Sequence, residues 1–482
     1  MPSGLVSTVI LYLWFLCGLY SARQLKADKQ ANRIFLLLSF FTGPAGMIWQ
    51  YYRQNRETFR KFFAFKSKEK AENTDYLDLI FLDSHGRDMF AGRTENSQAV
   101  NIVKKMIYDA VTRRSSDIFI DPKDDGYVIR FRVDGMIRIY DTLLENNALS
   151  AVSMVKAASG MDIAEKRRPQ DGSFSAICNG FTTSFRVASV GVFGGEKITI
   201  RVIASENTKR DLAAIGLRPD QLAQVRTGLK LPSGMILMCG PTGSGKTSTL
   251  YAMLDAIDYS MKNVISIEDP IERVVPQISQ MEVNVKAGIT FASLLRNSLR
   301  QNPDVICVGE IRDEETAEVA AHAAQTGHLI IATLHSNDNI GTIIRLTDLG
   351  VPLRSIASAL HMVISQRLVR RLCMKCRKKA ELNAEQLEFC RKSNIDPDRL
   401  YAPGGCPECD HTGFSGRQAV FEILVMTHEL RAVMESSESS VSAIQDYLAK
   451  NEARDTIFSV TGRMLLRGEI PLDEFERVNI NF

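Results

Sequence analysis

Residues Gly240, Pro241, Thr242, Gly243, Ser244, Gly245, Lys246 and Thr247 spell GPTGSGKT, and they decide the class of this chain. They match the phosphate-binding pattern G-x-x-x-x-G-K-[ST] without a mismatch. An apolar run, Met235 to Cys239, precedes them and reads as a buried strand; Ser248 to Ile257 follows and reads as a helix. That strand-loop-helix context separates a true phosphate loop from a chance Gly-rich turn. The glycines let backbone N–H groups converge on phosphate oxygens, and the helix N-terminus adds the positive end of its dipole. Lys246 can reach the β- and γ-phosphates, and the Thr247 hydroxyl can ligate Mg²⁺. ATP and Mg²⁺ are therefore the expected ligands, held by residues 240–247 together with Ser248.

Three further apolar runs, at 264–268, 305–308 and 329–333, suit a buried parallel sheet with helices between its strands. Each ends in residues with chemistry. VICVGEIRD (305–313) carries Gly309 where phosphate-loop enzymes usually place an Asp, so its carboxylate is Glu310, assigned to orienting or activating the attacking water. ISIEDPIE (265–272) offers Glu268 and Asp269, which can complete the Mg²⁺ shell through waters. LIIATLHSND (329–338) places His335 where an imidazole can sense the γ-phosphate; His328 is a weaker candidate.

A chain of 482 residues exceeds a single core. Its net charge of +3 is unevenly spread: residues 1–70 hold 11 Lys/Arg and 3 Asp/Glu, a net +8, which leaves −5 for the rest. That distribution excludes a nucleic-acid-coating protein. Residues 5–22 and 34–52 are apolar, uncharged and long enough to span a bilayer, and a basic stretch from Arg53 to Lys70 follows them. A membrane hairpin with both ends in the cytoplasm is the simplest reading. One span with an interfacial helix, or two buried helices, are the alternatives. Between 71 and 205 helix and strand signals alternate, with Asp134-Gly135 as a hairpin turn, as in a small α+β domain.

Four of the nine cysteines are paired in sequence: Cys373-x-x-Cys376 and Cys406-x-x-Cys409, with 29 residues between the pairs. Four thiolates so spaced predict a closed, tetrahedral, structural Zn²⁺ site.

The phosphate loop, EDPIE (268–272), LRQNPDVICVGEIRDEETAE (299–318) and TGHLIIATLHSND (326–338) together resemble the nucleotide-site motifs of the secretion ATPase superfamily, the motors of type II secretion and type IV pilus assembly. The likeness extends back through MDIAEKRRPQDG (161–172) and forward through QRLVRRLCMKC (366–376), covering about residues 95–480. It implies a RecA-like P-loop core (206–365) behind an α+β, PAS-like domain (71–205). A tetracysteine zinc subdomain (366–420), a helical C-terminal region (421–482) and a membrane-associated hairpin with its basic flank (1–70) complete the expected organisation. It implies a homohexamer, and γ-phosphate arginines in the N-terminal domain that match Arg186 and Arg201. The tetrad is similar to that of assembly-type rather than retraction-type motors. Two departures stand out: an apolar N-terminus replaces the family's extra soluble domain, and Asn302 stands where Asp is frequent. The expected function is an ATP-hydrolysing motor for pilus assembly or type II-like secretion. Its catalytic domains would face the cytoplasm at the bacterial inner membrane, in contact with lipid and a membrane platform protein and with no direct nucleic acid. The alternatives are a nucleotide-binding scaffold without turnover and the motor of a DNA-transfer or uptake pilus.

Overall fold

The computed structural model describes residues 74–82, 87–89, 98–178, 180–203, 211–393, 395–436, 440–450 and 455–479. The chain divides into two units, 1–77 and 78–482. The first is described only at 74–77, within the short 3₁₀ helix Thr74–Asp78. The expected membrane hairpin and basic flank of 1–70 lie outside the described residues. Among the described residues no helix is long and apolar enough to cross a membrane.

The second unit opens with seven strands: β1 (Ile80–Leu82), β2 (Ser115–Lys123), β3 (Gly126–Val133), β4 (Met136–Leu143), β5 (Gln170–Cys178), β6 (Phe181–Val192) and β7 (Gly195–Ile203). They form one antiparallel sheet in the order β1-β5-β6-β7-β2-β3-β4. Alternation sets its two faces. Ile118, Ile120, Ile198 and Ile200 are fully buried, while Asp117, Phe119, Thr199 and Arg201 point the other way. The helices Gln98–Thr112 and Glu145–Ala158 pack together and cover the apolar face. Asp134 and Gly135 both have positive φ, 50° and 81°, the backbone of a tight hairpin between β3 and β4. This is an α+β arrangement.

A second sheet forms the core of the molecule. Its strands β8 (Gly234–Cys239), β9 (Val264–Glu268), β10 (Ser279–Glu282), β11 (Val305–Val308) and β12 (Leu329–Leu334) are all parallel. The four apolar runs of the sequence are its central strands. Met235, Leu237 and Cys239 face one apolar cluster and Ile236 and Met238 face another, so helices bury both sides. β13 (Leu360–Leu372) adds in parallel beside β8. After it the chain leaves the sheet for the cysteine segment, in which β14 (Lys378–Lys379) and β15 (Tyr401–Ala402) pair. It returns as β16 (Phe414–Val425), antiparallel to β13, giving the order β10-β9-β11-β12-β8-β13-β16.

This hairpin alters two expectations. The boundaries 365/366 and 420/421 fall inside β13 and β16, so the cysteine segment is an insertion at the end of a hairpin continuous with the core. The region from 421 does not begin as helix, because Phe421 to Val425 is sheet edge. Glu422 disguises that strand by interrupting its apolar run. It is 5% exposed, and it accepts hydrogen bonds from Asn339 Nδ2 (3.2 Å) and the Ile457 N–H (3.1 Å). Beyond 425 the chain is helical, and Gly468, with φ 65°, follows the helix Ile457–Leu466.

A third apolar cluster joins the C-terminal helices to the hairpin through Val369, Val420, Leu465 and Phe475. Beside it Glu474, fully buried, accepts from the Arg370 N–H, Nε and Nη2 at 2.8, 2.8 and 2.5 Å and from Arg477 Nε and Nη2 at 3.0 and 2.7 Å. Burial alone would raise its carboxyl, but the two guanidinium groups outweigh it and hold the group below the ordinary 4.5. That stabilisation is present above pH 4.5 and is lost as pH falls through the depressed folded value. Glu474→Gln should therefore cost about 3–5 kcal/mol at neutral pH, read by denaturant unfolding. The gap to the parent protein should narrow well below pH 4.5.

Candidate functional site

Four parallel strands bring four sets of polar residues to one edge of the core. Cys239, the last residue of β8, pairs with Leu334, the last of β12, and Val308 of β11 pairs with Ile267 of β9. The phosphate loop, Glu268-Asp269, Gly309-Glu310 and His335 therefore all leave the carboxyl ends of adjacent strands, where open α/β sheets bind ligands.

The phosphate loop wraps against β13. A Cβ at Gly240 would stand 2.5 Å from the Gln366 carbonyl oxygen, and Gln366 Oε1 accepts from Thr249 Oγ1 at 2.8 Å. Gly245 is left-handed (φ 91°) and caps the helix Lys246–Asp255 without a side-chain hydrogen bond, which leaves that helix's first N–H groups for a ligand. Lys246 Nζ donates to the carbonyls of Gly240 (2.6 Å) and Pro241 (3.3 Å). Burial pulls its ammonium below the ordinary lysine value, while the charge of Glu310 acts in the opposite sense and places that acid within electrostatic reach. Ser244 Oγ is buried with no hydrogen-bond partner among the described residues. Orphan donors around an ammonium fit a polyphosphate. Pro241, Thr242 and Gly243 are exposed at the loop tip; Thr247 and Ser248 are half-buried at the helix start.

The segment GEIRD resolves residue by residue. Gly309 N–H donates to the Ile267 carbonyl at 2.7 Å, and the Gly309 carbonyl accepts from Thr333 Oγ1 at 2.6 Å. A Cβ there would lie 3.1 Å from the Ile267 carbonyl oxygen, so the missing side chain is what lets β9 approach. Glu310 emerges from this clamp with its side chain only 15% exposed, and its Oε2 lies 3.4 Å from His335 Nε2. Ile311 is buried, Arg312 pairs with Glu310, and Asp313 caps the helix Glu314–Gln325 through the Thr316 N–H.

Glu268 departs from expectation. Its carboxylate is buried and accepts from Tyr251 Oη, from Ser266 Oγ at 2.7 Å and from Gln280 Nε2 at 2.9 Å. It is a structural acid that ties β9 to the phosphate-loop helix and to β10. Asp269, one residue on and a third exposed, faces outward, as does Glu272 at the end of the box, and Asp269 pairs with Arg312. His328 lies at the opposite end of β12 from His335, with Nδ1 3.2 Å from the Ala323 carbonyl, and takes no part.

Between the phosphate loop and the N-terminal domain lies a cleft of about 1060 Å³. Gly245, Ser248 and Thr249 line one side, Arg113, Arg114 and Asp134 another. Asp134 also pairs with Arg417 of β16 at 3.4 Å, which joins the two sheets across it. Arg186 and Arg201 do not line this cleft. They are register partners on β6 and β7, and Arg201 Nε lies 3.4 Å from Asp117 Oδ1. Arg113 and Arg114, an RR pair between a helix and a strand that sequence reasoning did not single out, line the cleft instead.

The four cysteines converge as predicted from their spacing. Their sulfurs all lie within 4.8 Å of one another, with Cys373–Cys406 at 3.9 Å and Cys376–Cys409 and Cys406–Cys409 at 3.7 Å. A tetrahedron with Zn–S of about 2.3 Å has edges of roughly 3.8 Å, so the set fits that ion. Burial would raise the Cys409 thiol, but N–H groups of Cys406 and Gly413 outweigh it and bring the thiol down to about 6.

Comparison with known proteins agrees with this geometry. The profile of the type II/IV secretion system protein family matches residues 93–477. The type II secretion system ATPase E of Vibrio cholerae is 37% identical over 380 residues, 78% of this chain and 75% of that protein. The type IV pilus assembly ATPase PilB of Acinetobacter baylyi is 37% identical over 417 residues, 84% and 71% of the respective chains. The ATPase DotB of Legionella pneumophila shares the fold at a TM-score of 0.59 and 21% identity, over 79% of this chain and 96% of that one. The chain belongs to the type II/IV secretion system protein family.

Proposed function

We propose that this chain is an ATP-hydrolysing motor of type IV pilus assembly or type II-like protein secretion, working as a homohexamer against a platform protein at the inner membrane. The observation that carries this reading is Glu310, clamped at the tip of β11 within electrostatic reach of Lys246 and 3.4 Å from His335. A scaffold that only binds nucleotide has no need of a partly buried carboxylate held at that place.

In this reading the phosphate-loop N–H groups and Lys246 hold the polyphosphate of ATP, and Thr247 with Asp269 holds Mg²⁺, which neutralises charge on the β- and γ-phosphates. Glu310 orients the attacking water, and His335 senses the γ-phosphate through its contact with Glu310. Arg113 and Arg114 reach the nucleotide from the N-terminal domain across the cleft. Arg186 and Arg201 reach it only if that domain rotates, which would make domain position depend on the nucleotide and supply mechanical work. Cys373, Cys376, Cys406 and Cys409 hold a structural Zn²⁺, and the N-terminal apolar stretches anchor the chain to the membrane.

Glu310→Gln should retain ATP binding and lose turnover by about 100-fold or more, measured as phosphate release by the full-length protein in liposomes. Turnover near the parent value would remove Glu310 from the reaction. Cys373→Ser should lower bound zinc, read by elemental analysis, and destabilise the segment 366–420, read by limited proteolysis; unchanged zinc content would refute the tetrad.

A further inference from the structure

The sequence attaches no role to Arg312, yet this side chain joins the two acids of the nucleotide site. Glu310 and Arg312 flank Ile311 just beyond β11, and their side chains meet. Ile311 between them is 2% exposed, and its N–H donates to the Thr333 carbonyl at 2.9 Å, which fixes the orientation of both neighbours. Arg312 Nη2 donates to Glu310 Oε1, and Arg312 Nη1 lies 3.4 Å from Asp269 Oδ2. The two carboxylates follow different strands, Glu310 two residues beyond β11 and Asp269 one residue beyond β9. A planar guanidinium addresses both through nitrogens held at a fixed separation, a geometry that the compact ammonium of a lysine does not impose. With Oε1 engaged, the oxygen of Glu310 that remains is Oε2, turned to His335. Arg312 is itself half exposed, so little of the core rests on it.

We infer that Arg312 is a positioning residue for ATP hydrolysis. By bridging Glu310 and Asp269 it selects which Glu310 oxygen faces the attacking water, and it fixes the spacing between that acid and the outward acid of the neighbouring strand. The inference rests on the reading of Glu310 as the water-directing carboxylate.

The test is steady-state ATP turnover and fluorescent-ATP binding by the full-length protein and its variants Arg312→Gln, Arg312→Lys, Asp269→Asn and the double variant Arg312→Gln/Asp269→Asn, with Glu310→Gln alongside. For Arg312→Gln, kcat should fall by about 10- to 100-fold with KM and binding affinity within about twofold. Arg312→Lys should recover only part of the loss. The double variant should lose less than the product of the two single losses, because both substitutions break the shared Arg312–Asp269 contact. Unfolding transitions should coincide with the parent's. Unchanged kcat, a rise in KM alone, full activity in Arg312→Lys, additive losses in the double variant, or an early unfolding transition would each overturn the proposal. Loss in Glu310→Gln without loss in Arg312→Gln would overturn the bridge alone. Retained turnover in Glu310→Gln would overturn the Glu310 assignment and the bridge with it.

Discussion

The site depends on the peptide at Gly309, held from both sides. Its N–H is bound to the β9 carbonyl of Ile267 and its carbonyl to the Thr333 hydroxyl of β12, so three neighbouring strands lock at the point where they deliver their polar residues. Parallel pairing alone would bring the strand ends to one edge. The clamp adds the ångström-scale placement that water activation needs, because a carboxylate displaced by 1 Å can lose about two orders of magnitude in rate. Everything functional at that edge, from the phosphate loop on β8 to the outward acid on β9, is positioned relative to this peptide.

A division of labour among the acids follows from burial. Glu268 lies below the rim, with its oxygens accepting from a tyrosine, a serine and a glutamine, and it fastens the sheet to the helix behind the phosphate loop. Asp269 and Glu310 stand above the rim. A carboxylate whose oxygens are taken up by buried donors gives rigidity, whereas Glu310, 15% exposed, and Asp269, a third exposed, keep access to the rim where chemistry can occur. Adjacent residues in one short motif thus serve the fold and the reaction separately.

Much of this was legible in the sequence because parallel strands buried on both faces are written as continuous apolar runs, and charged residues mark where they stop. The phosphate loop, Glu310, His335 and the cysteine tetrad all sit at such marked positions or at diagnostic spacings. What the sequence hid depends on lateral order. Nothing in it says that β9 lies beside β11, which is why the reach of Arg312 to Asp269 was invisible. The capture of Glu268 needs three residues from separate elements. The end of β16, 421–425, falls in the region expected to be helical; Glu422 interrupts its apolar run, and Asn339 and Ile457 explain how a carboxylate survives there. Arg186 and Arg201 were matched by position in their strands, and the register pairs them with each other, away from the cleft.

The strand β13 stays beside β8 as far as Ser365, then runs past the phosphate loop at Gln366 and on to Leu372, where the cysteine segment begins. One continuous extended backbone therefore forms both the wall behind the phosphates and the root of the cysteine knuckle. Beyond Ser365 that backbone stays paired with β16, with one register shift between Arg370 and Leu372. The cysteine segment and the wall beside the phosphate loop are thus two ends of one strand, and neither can shift along it without the other.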